Sequence, residues 1–159
     1  MTSHHRAYAT AVRIFGAAVV VLATVSCASA KVAVTVPRQT EGVVLDACNA
    51  LKDSLPKRLH GLRWSPTTPD SPLTAAWSDS TDGVITLRCG LAAPDSGTAD
   101  ILNVDEVDWV PISRDHGTSF ITVGRIAFVQ IDVPISLRPE ASYLVPLASA
   151  IVGAVPLTN

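Results

Sequence analysis

Beyond its first 30 residues the chain is short of the side chains from which recognisable chemistry is built. Only His60 and His116 remain there, and no Gly-x-Ser-x-Gly elbow nominates a nucleophile for a hydrolytic triad. His-Glu-x-x-His, a glycine-rich phosphate loop and a calcium-loop pattern are also missing, and no cofactor is expected. Charge is sparse, at 16% of the 159 residues, and basic charge is the sparser kind. Of 12 lysines and arginines, Arg6 and Arg13 precede residue 31, which leaves 10 against 14 acidic residues. That balance, near −4, has the wrong sign for a nucleic-acid partner. Long periodic helices are lacking too, and the 11 prolines favour short strands with turns. Present in quantity are Val, Ile, Leu and Ala, which argue against disorder and for a domain with a real core.

One uncharged run stands apart: residues 14–30, IFGAAVVVLATVSCASA, entered through Arg6 and Arg13. A basic start, an apolar run and a small-residue exit are the parts of a secretory signal. Three readings of residues 1–30 follow. Cleavage after Ala30, behind Ala28-Ser29-Ala30, gives a mature chain starting at Lys31. Lipidation at Cys27 fits Val25 and Ser26, although Thr24 stands where lipid-attachment boxes usually carry Leu. Retention as an anchor uses a run at the lower edge of the roughly 17 to 25 residues that span hydrocarbon. All three place the remainder outside the cytoplasm, tethered to the membrane through its N-terminus or secreted.

Residues 31–40 read as a short strand or extended tether around Val32, Val34 and Val36, and residues 41–159 as a single exported domain. The clearest helix opens at Thr40 and Glu41, puts Val43, Val44, Ala47, Cys48, Leu51 and Leu55 on one stripe, and stops at Pro56. A basic turn over residues 57–63 precedes a loop from Trp64 through Pro72. Strands are expected at 74–77 and 84–89, with Ile85, Leu87 and Cys89 sharing one face. One or two extended pieces follow over 101–112, then a turn at 113–118. Strands over 120–123 and 125–133 meet at a tight hairpin around Gly124, with Ala127, Val129, Ile131 and Val133 inward, Arg125 near the turn and Gln130 and Asp132 outward. The last helix carries Leu144, Leu147, Ala148, Ile151 and Val152 on a stripe and tolerates Pro146 at its start. This order predicts an α+β domain, a mainly antiparallel sheet with two helices on one face, preceded by the N-terminal apolar helix.

Cys27, Cys48 and Cys89 make an odd count, which the leader explains by lipidating or discarding Cys27. Cys48, on a buried helical stripe, and Cys89, on a buried strand face, can then staple helix to sheet in an oxidising compartment. Two separately buried thiols are the alternative.

Asp105, Glu106 and Asp108, with Asp115 and His116 downstream, form the one metal-cluster candidate, and a bulge or loop must converge them. Otherwise they are a solvated acidic edge that discourages strand pairing. Trp64 and Trp109, with Arg58 and Arg63, are the candidate partner surface; core packing is the competing reading for Trp64, Trp77 and Trp109.

Several strings taken together resemble one family: Cys48-Asn49-Ala50-Leu51 leading to Leu55-Pro56, Thr74-Ala75-Ala76-Trp77, Ile85-Thr86-Leu87-Arg88-Cys89-Gly90, Val107-Asp108-Trp109, and Val129-Gln130-Ile131-Asp132-Val133-Pro134. They are similar to the actinobacterial exported proteins grouped as domain of unknown function 3515, over nearly all of residues 37–156. Two departures stand out, Ser78 where a Gly commonly follows the Trp, and Arg63-Trp64 where paired arginines often occur. The resemblance implies an envelope protein anchored by its N-terminus, with two cysteines suited to pairing, and it carries no catalytic residues. The resulting expectation is a noncatalytic module at the outer face of the cytoplasmic membrane that binds an envelope protein or cell-wall component. The alternative is a small exported hydrolase or metal-dependent enzyme using Asp105, Glu106, Asp108 and His116.

Overall fold

A computed structural model describes residues 30–38, 41–79, 83–94 and 100–158. Cys27 and the apolar run up to residue 29 lie outside the described residues, as does the end of the loop expected after Gly90. In chain order the elements are β1 (Val32–Ala33), α1 (Gly42–Ser54), β2 (Arg58–Leu59), β3 (Leu62–Ser65), β4 (Thr67–Thr68), β5 (Thr74–Ser78), β6 (Val84–Leu91), β7 (Leu102–Val104), β8 (Val107–Arg114), β9 (Gly117–Thr122), β10 (Phe128–Pro134), a 3-10 turn (Glu140–Leu144) and α2 (Val145–Ala154). The fold is α+β. Eight strands form one sheet in the order β2-β3-β5-β6-β10-β9-β8-β7, and every neighbouring pair in it is antiparallel. β1 and β4 make a separate parallel pair. Among the described residues no helix is long and apolar enough to cross a membrane.

The period-2 alternation of the long strands sorts their side chains into two faces. On one, Ala75 and Trp77 from β5, Ile85, Leu87 and Cys89 from β6, Phe120 from β9, Val129, Ile131 and Val133 from β10, and Val107 and Trp109 from β8 share a core with both helices. α1 contributes Ala47, Cys48, Leu51 and the following Leu55; α2 contributes Leu147, Ala148, Ala150 and Ile151. The Cys48–Cys89 disulfide joins α1 to β6 with Cα atoms 5.7 Å apart. Both residues are 1% exposed, so the bond is part of the core.

The two helical stripes are narrower than the sequence suggests. Val43 is 69% exposed, because it heads the row that continues through Ala50 and Ser54 at the solvent rim. Val152 is 38% exposed, on the outward row of α2 with Val145 and Ser149. Pro146 occupies the first turn of α2, where its missing N–H costs no helical bond.

Three connections differ from expectation. The basic turn at 57–63 and the start of the following loop are a hairpin, β2–β3, turning through His60 and Gly61 with φ of 46° and 94°. Leu59 and Leu62 are its inward pair, and Trp64 continues β3 opposite Trp77. Two apolar residues set within a basic stretch give too little periodicity to announce a strand. The turn expected at 113–118 shrinks to Asp115 and His116, since β8 and β9 stay paired to Arg114 and Gly117. The tight hairpin expected at Gly124 is instead a broader loop, because the chain end inserts there. Ile126 N–H donates to the Pro156 carbonyl at 3.0 Å, Thr158 N–H donates to Gly124 at 2.9 Å, and Arg125 bridges to Leu157.

Candidate functional site

The opposite face of the sheet is polar at its centre. Asp132 of β10 accepts from Ser119 Oγ on β9 at 2.6 Å, from Gln130 Nε2 at 2.6 Å and from Thr86 Oγ1 on β6 at 3.3 Å. Arg88 adds an ion pair at 3.5 Å. At one end of this face a cleft of about 200 Å³ is lined by Arg114, His116, Ser119, Asp132 and the apolar Val84 and Pro134. Serine, histidine and aspartate therefore meet here, but not in the order that activates a serine. In a triad the histidine stands between the other two; here the Ser119 hydroxyl donates directly to Asp132. Gln130, expected outside, is 7% exposed because its flanking strands shield it.

The acidic residues lie elsewhere. Asp105 and Glu106 form the β7–β8 turn with φ of 45° and 68°, the left-handed geometry of a two-residue hairpin. Asp108 faces Asn103, which donates to it at 2.7 Å. His116 forms the β8–β9 turn, at the far end of the eight residues of β8. At about 3.4 Å per residue that separation is roughly 25 Å. The fold thus does not bring His116 to the 105–108 carboxylates, and among the described residues no three His, Cys, Asp or Glu side chains form a metal-binding group. A groove of about 550 Å³ runs between this turn and the outward row of α2, lined by Asp105, Glu106, Val145, Ser149 and Val152.

Arg125, 3% exposed, sets the position of that turn. Its Nη2 donates to the Glu106 carbonyl at 2.9 Å and its Nη1 to the Val155 carbonyl at 2.6 Å, tying the turn to the end of α2. Burial lowers the Arg125 pKa, while Asp108 and Glu106 oppose that shift. Neither Arg125 nor Asp132 announces these roles in sequence. The only cue is a charge set within or beside an apolar strand.

Of the residues expected to form a partner surface, Trp109 is fully buried and cannot serve. Its ring fills the core beneath β8, where a large aromatic buries more area than any other side chain could. Trp64 is half-buried, edge-on to Trp77 at 5.5 Å, with the Lys57 and Lys52 ammonium groups 4.3 and 5.0 Å from its ring centre. Lys52 also donates to the Ser71 and Thr74 carbonyls, and its partial burial lowers its pKa, with Asp70 opposing the shift and Lys57 adding to it. Arg58 and Arg63 face each other across β2 and β3, both exposed, with no ion-pair partner among the described residues. The hairpin tip is held from the core side: His60 meets the Ser142 carbonyl at 3.1 Å and stands edge-on to Tyr143 at 5.1 Å.

Compared with known proteins, residues 7–159 match the family model described as "Protein of unknown function (DUF3515)". Neither a curated protein nor a solved structure matches the chain.

Proposed function

The chain belongs to the DUF3515 family, and from that premise we propose that it is a noncatalytic cell-envelope module, exported and held at the outer face of the cytoplasmic membrane by its N-terminus, that acts by binding another envelope component. The observation that carries the reading is the Cys48–Cys89 bond within the core. Such bonds persist in oxidising compartments and are rare in the cytosol. The basic-then-apolar order of residues 6–30 supplies the route out. A binding role is favoured over catalysis by the placement of polar groups: Ser119 is committed to Asp132, and the 105–108 carboxylates and His116 occupy opposite ends of β8.

Mass spectrometry of the mature N-terminus in the producing cell tests the reading. Acylated Cys27 identifies a lipoprotein, an uncleaved N-terminal peptide in the membrane fraction a retained anchor, and Lys31 a released domain that drops the tether but keeps export. An uncleaved chain in the cytosolic fraction would overturn it.

A further inference from the structure

We infer that the β2–β3 hairpin is a contact surface for anionic phospholipid headgroups, with Arg58 and Arg63 as its central pair. The inference deepens the membrane-tethered reading above and rests on it for orientation. Three observations converge. First, Arg58 and Arg63 are directly opposite in register. Like charges in that arrangement repel each other, so the pair destabilises the hairpin unless an anion lies between or above the guanidinium groups. Guanidinium is also the side chain best matched to phosphate oxygens.

Second, charge is distributed unevenly along a chain that is acidic as a whole. Residues 31–63 hold six cations, Lys31, Arg38, Lys52, Lys57, Arg58 and Arg63, against three carboxylates, Glu41, Asp46 and Asp53. Residues 64–159 hold four cations against eleven carboxylates. Lys57 and Lys52 sit over the Trp64 ring on the inward face of the hairpin, which leaves the outward face of the pair to Arg58 and Arg63.

Third, the leader leaves the domain beside this hairpin. β1 begins two residues after Ala30, and its Val32 N–H donates to the Pro66 carbonyl at 2.8 Å, directly after β3. Three residues separate Arg63 from Pro66 and two separate Val32 from Ala30, so the chain allows roughly 10 Å and 7 Å for those steps. A leader held in a bilayer therefore keeps the hairpin within reach of the headgroups. The acidic β7–β8 turn is attached to β7 and β8, at the opposite edge of the sheet from β2. Attraction of the basic edge and repulsion of the acidic remainder both turn the domain the same way.

The test places the full chain with vesicles of phosphatidylcholine alone or doped with phosphatidylglycerol. Flotation reports attachment, and the rate of phenylglyoxal modification at each arginine, read by mass spectrometry, reports contact. The expected result is flotation with both vesicles and a slowing of about fivefold or more at Arg58 and Arg63 on the anionic ones. Arg114 should be unaffected, and salt near 0.5 M should remove the difference. Arg58→Gln should return Arg63 most of the way to its neutral-vesicle rate.

Flotation with both vesicles but equal rates would overturn the lipid contact and leave the tether standing. Equal slowing by inorganic phosphate on neutral vesicles would also overturn it, in favour of a free-phosphate site. Flotation only with anionic vesicles, with both arginines slowed, would sustain the contact and overturn the tether. No flotation with either would overturn both.

Discussion

At the scale of single residues, three positions have consequences the sequence hides. Gly117 faces Pro134 across β9 and β10 with φ of 151°. A Cβ there would lie 2.7 Å from Pro134 Cα and closer still to the Val133 carbonyl oxygen, both backbone atoms that cannot rotate away. Gly117→Ala is expected to cost about 2 to 3 kcal/mol, checked by urea denaturation. Arg125 fixes two carbonyls from a buried site, so Arg125→Met should cost about 2 to 4 kcal/mol by leaving both unpaired. Protection of the amides around residues 104–107 from hydrogen exchange should fall with it. For Lys52, burial lowers the folded-state pKa, so the unfolded chain holds this proton more tightly. Stability contributed by this group therefore rises as pH climbs from the folded value to the ordinary lysine value. Lys52→Met should remove that alkaline rise from melting curves measured against pH.

At the scale of elements, the long ones were legible and the short ones were not. The stripe through Ala47, Cys48, Leu51 and Leu55 and the alternations Ile85-Leu87-Cys89 and Ala127-Val129-Ile131-Val133 each repeat often enough to fix a period, and all these residues are buried. Both cysteines are therefore legible as core-facing, and their pairing, left open against two separate buried thiols by the pattern alone, is given by the structure. β2 has two residues, too few to repeat anything, so its hairpin reads as a basic turn. The loop around Gly124 escaped for another reason: it is shaped by the chain end some thirty residues later, a contact no local pattern contains. The candidate site suffered the same limit. Arg58 and Arg63 can be nominated from composition, but their cross-strand pairing cannot, and for Trp109 the choice between partner surface and core is made only by the packed sheet, which buries it. The staple closes a separation of 41 residues, which a chain-entropy treatment values at about 4 kcal/mol as an upper figure. Cys48→Ala with Cys89→Ala should lower the denaturation midpoint accordingly, and adding reductant to the unmodified protein should reproduce the loss.

At the scale of the whole molecule, two helices cover one face of an antiparallel sheet, the first of them stapled to β6, and the described N-terminal segment meets the domain directly after β3, beside the basic hairpin. On the membrane-tethered reading proposed above, charge asymmetry would orient the domain and the attachment point would limit how far it strays. We propose that this domain works outside the cytoplasm. The most direct test is nonreducing peptide mapping of the protein taken from its native cell and alkylated at once. A Cys48–Cys89 linked peptide with no alkylation at either residue is expected. Free, alkylated Cys48 and Cys89 on a chain still carrying Met1 would contradict the proposal.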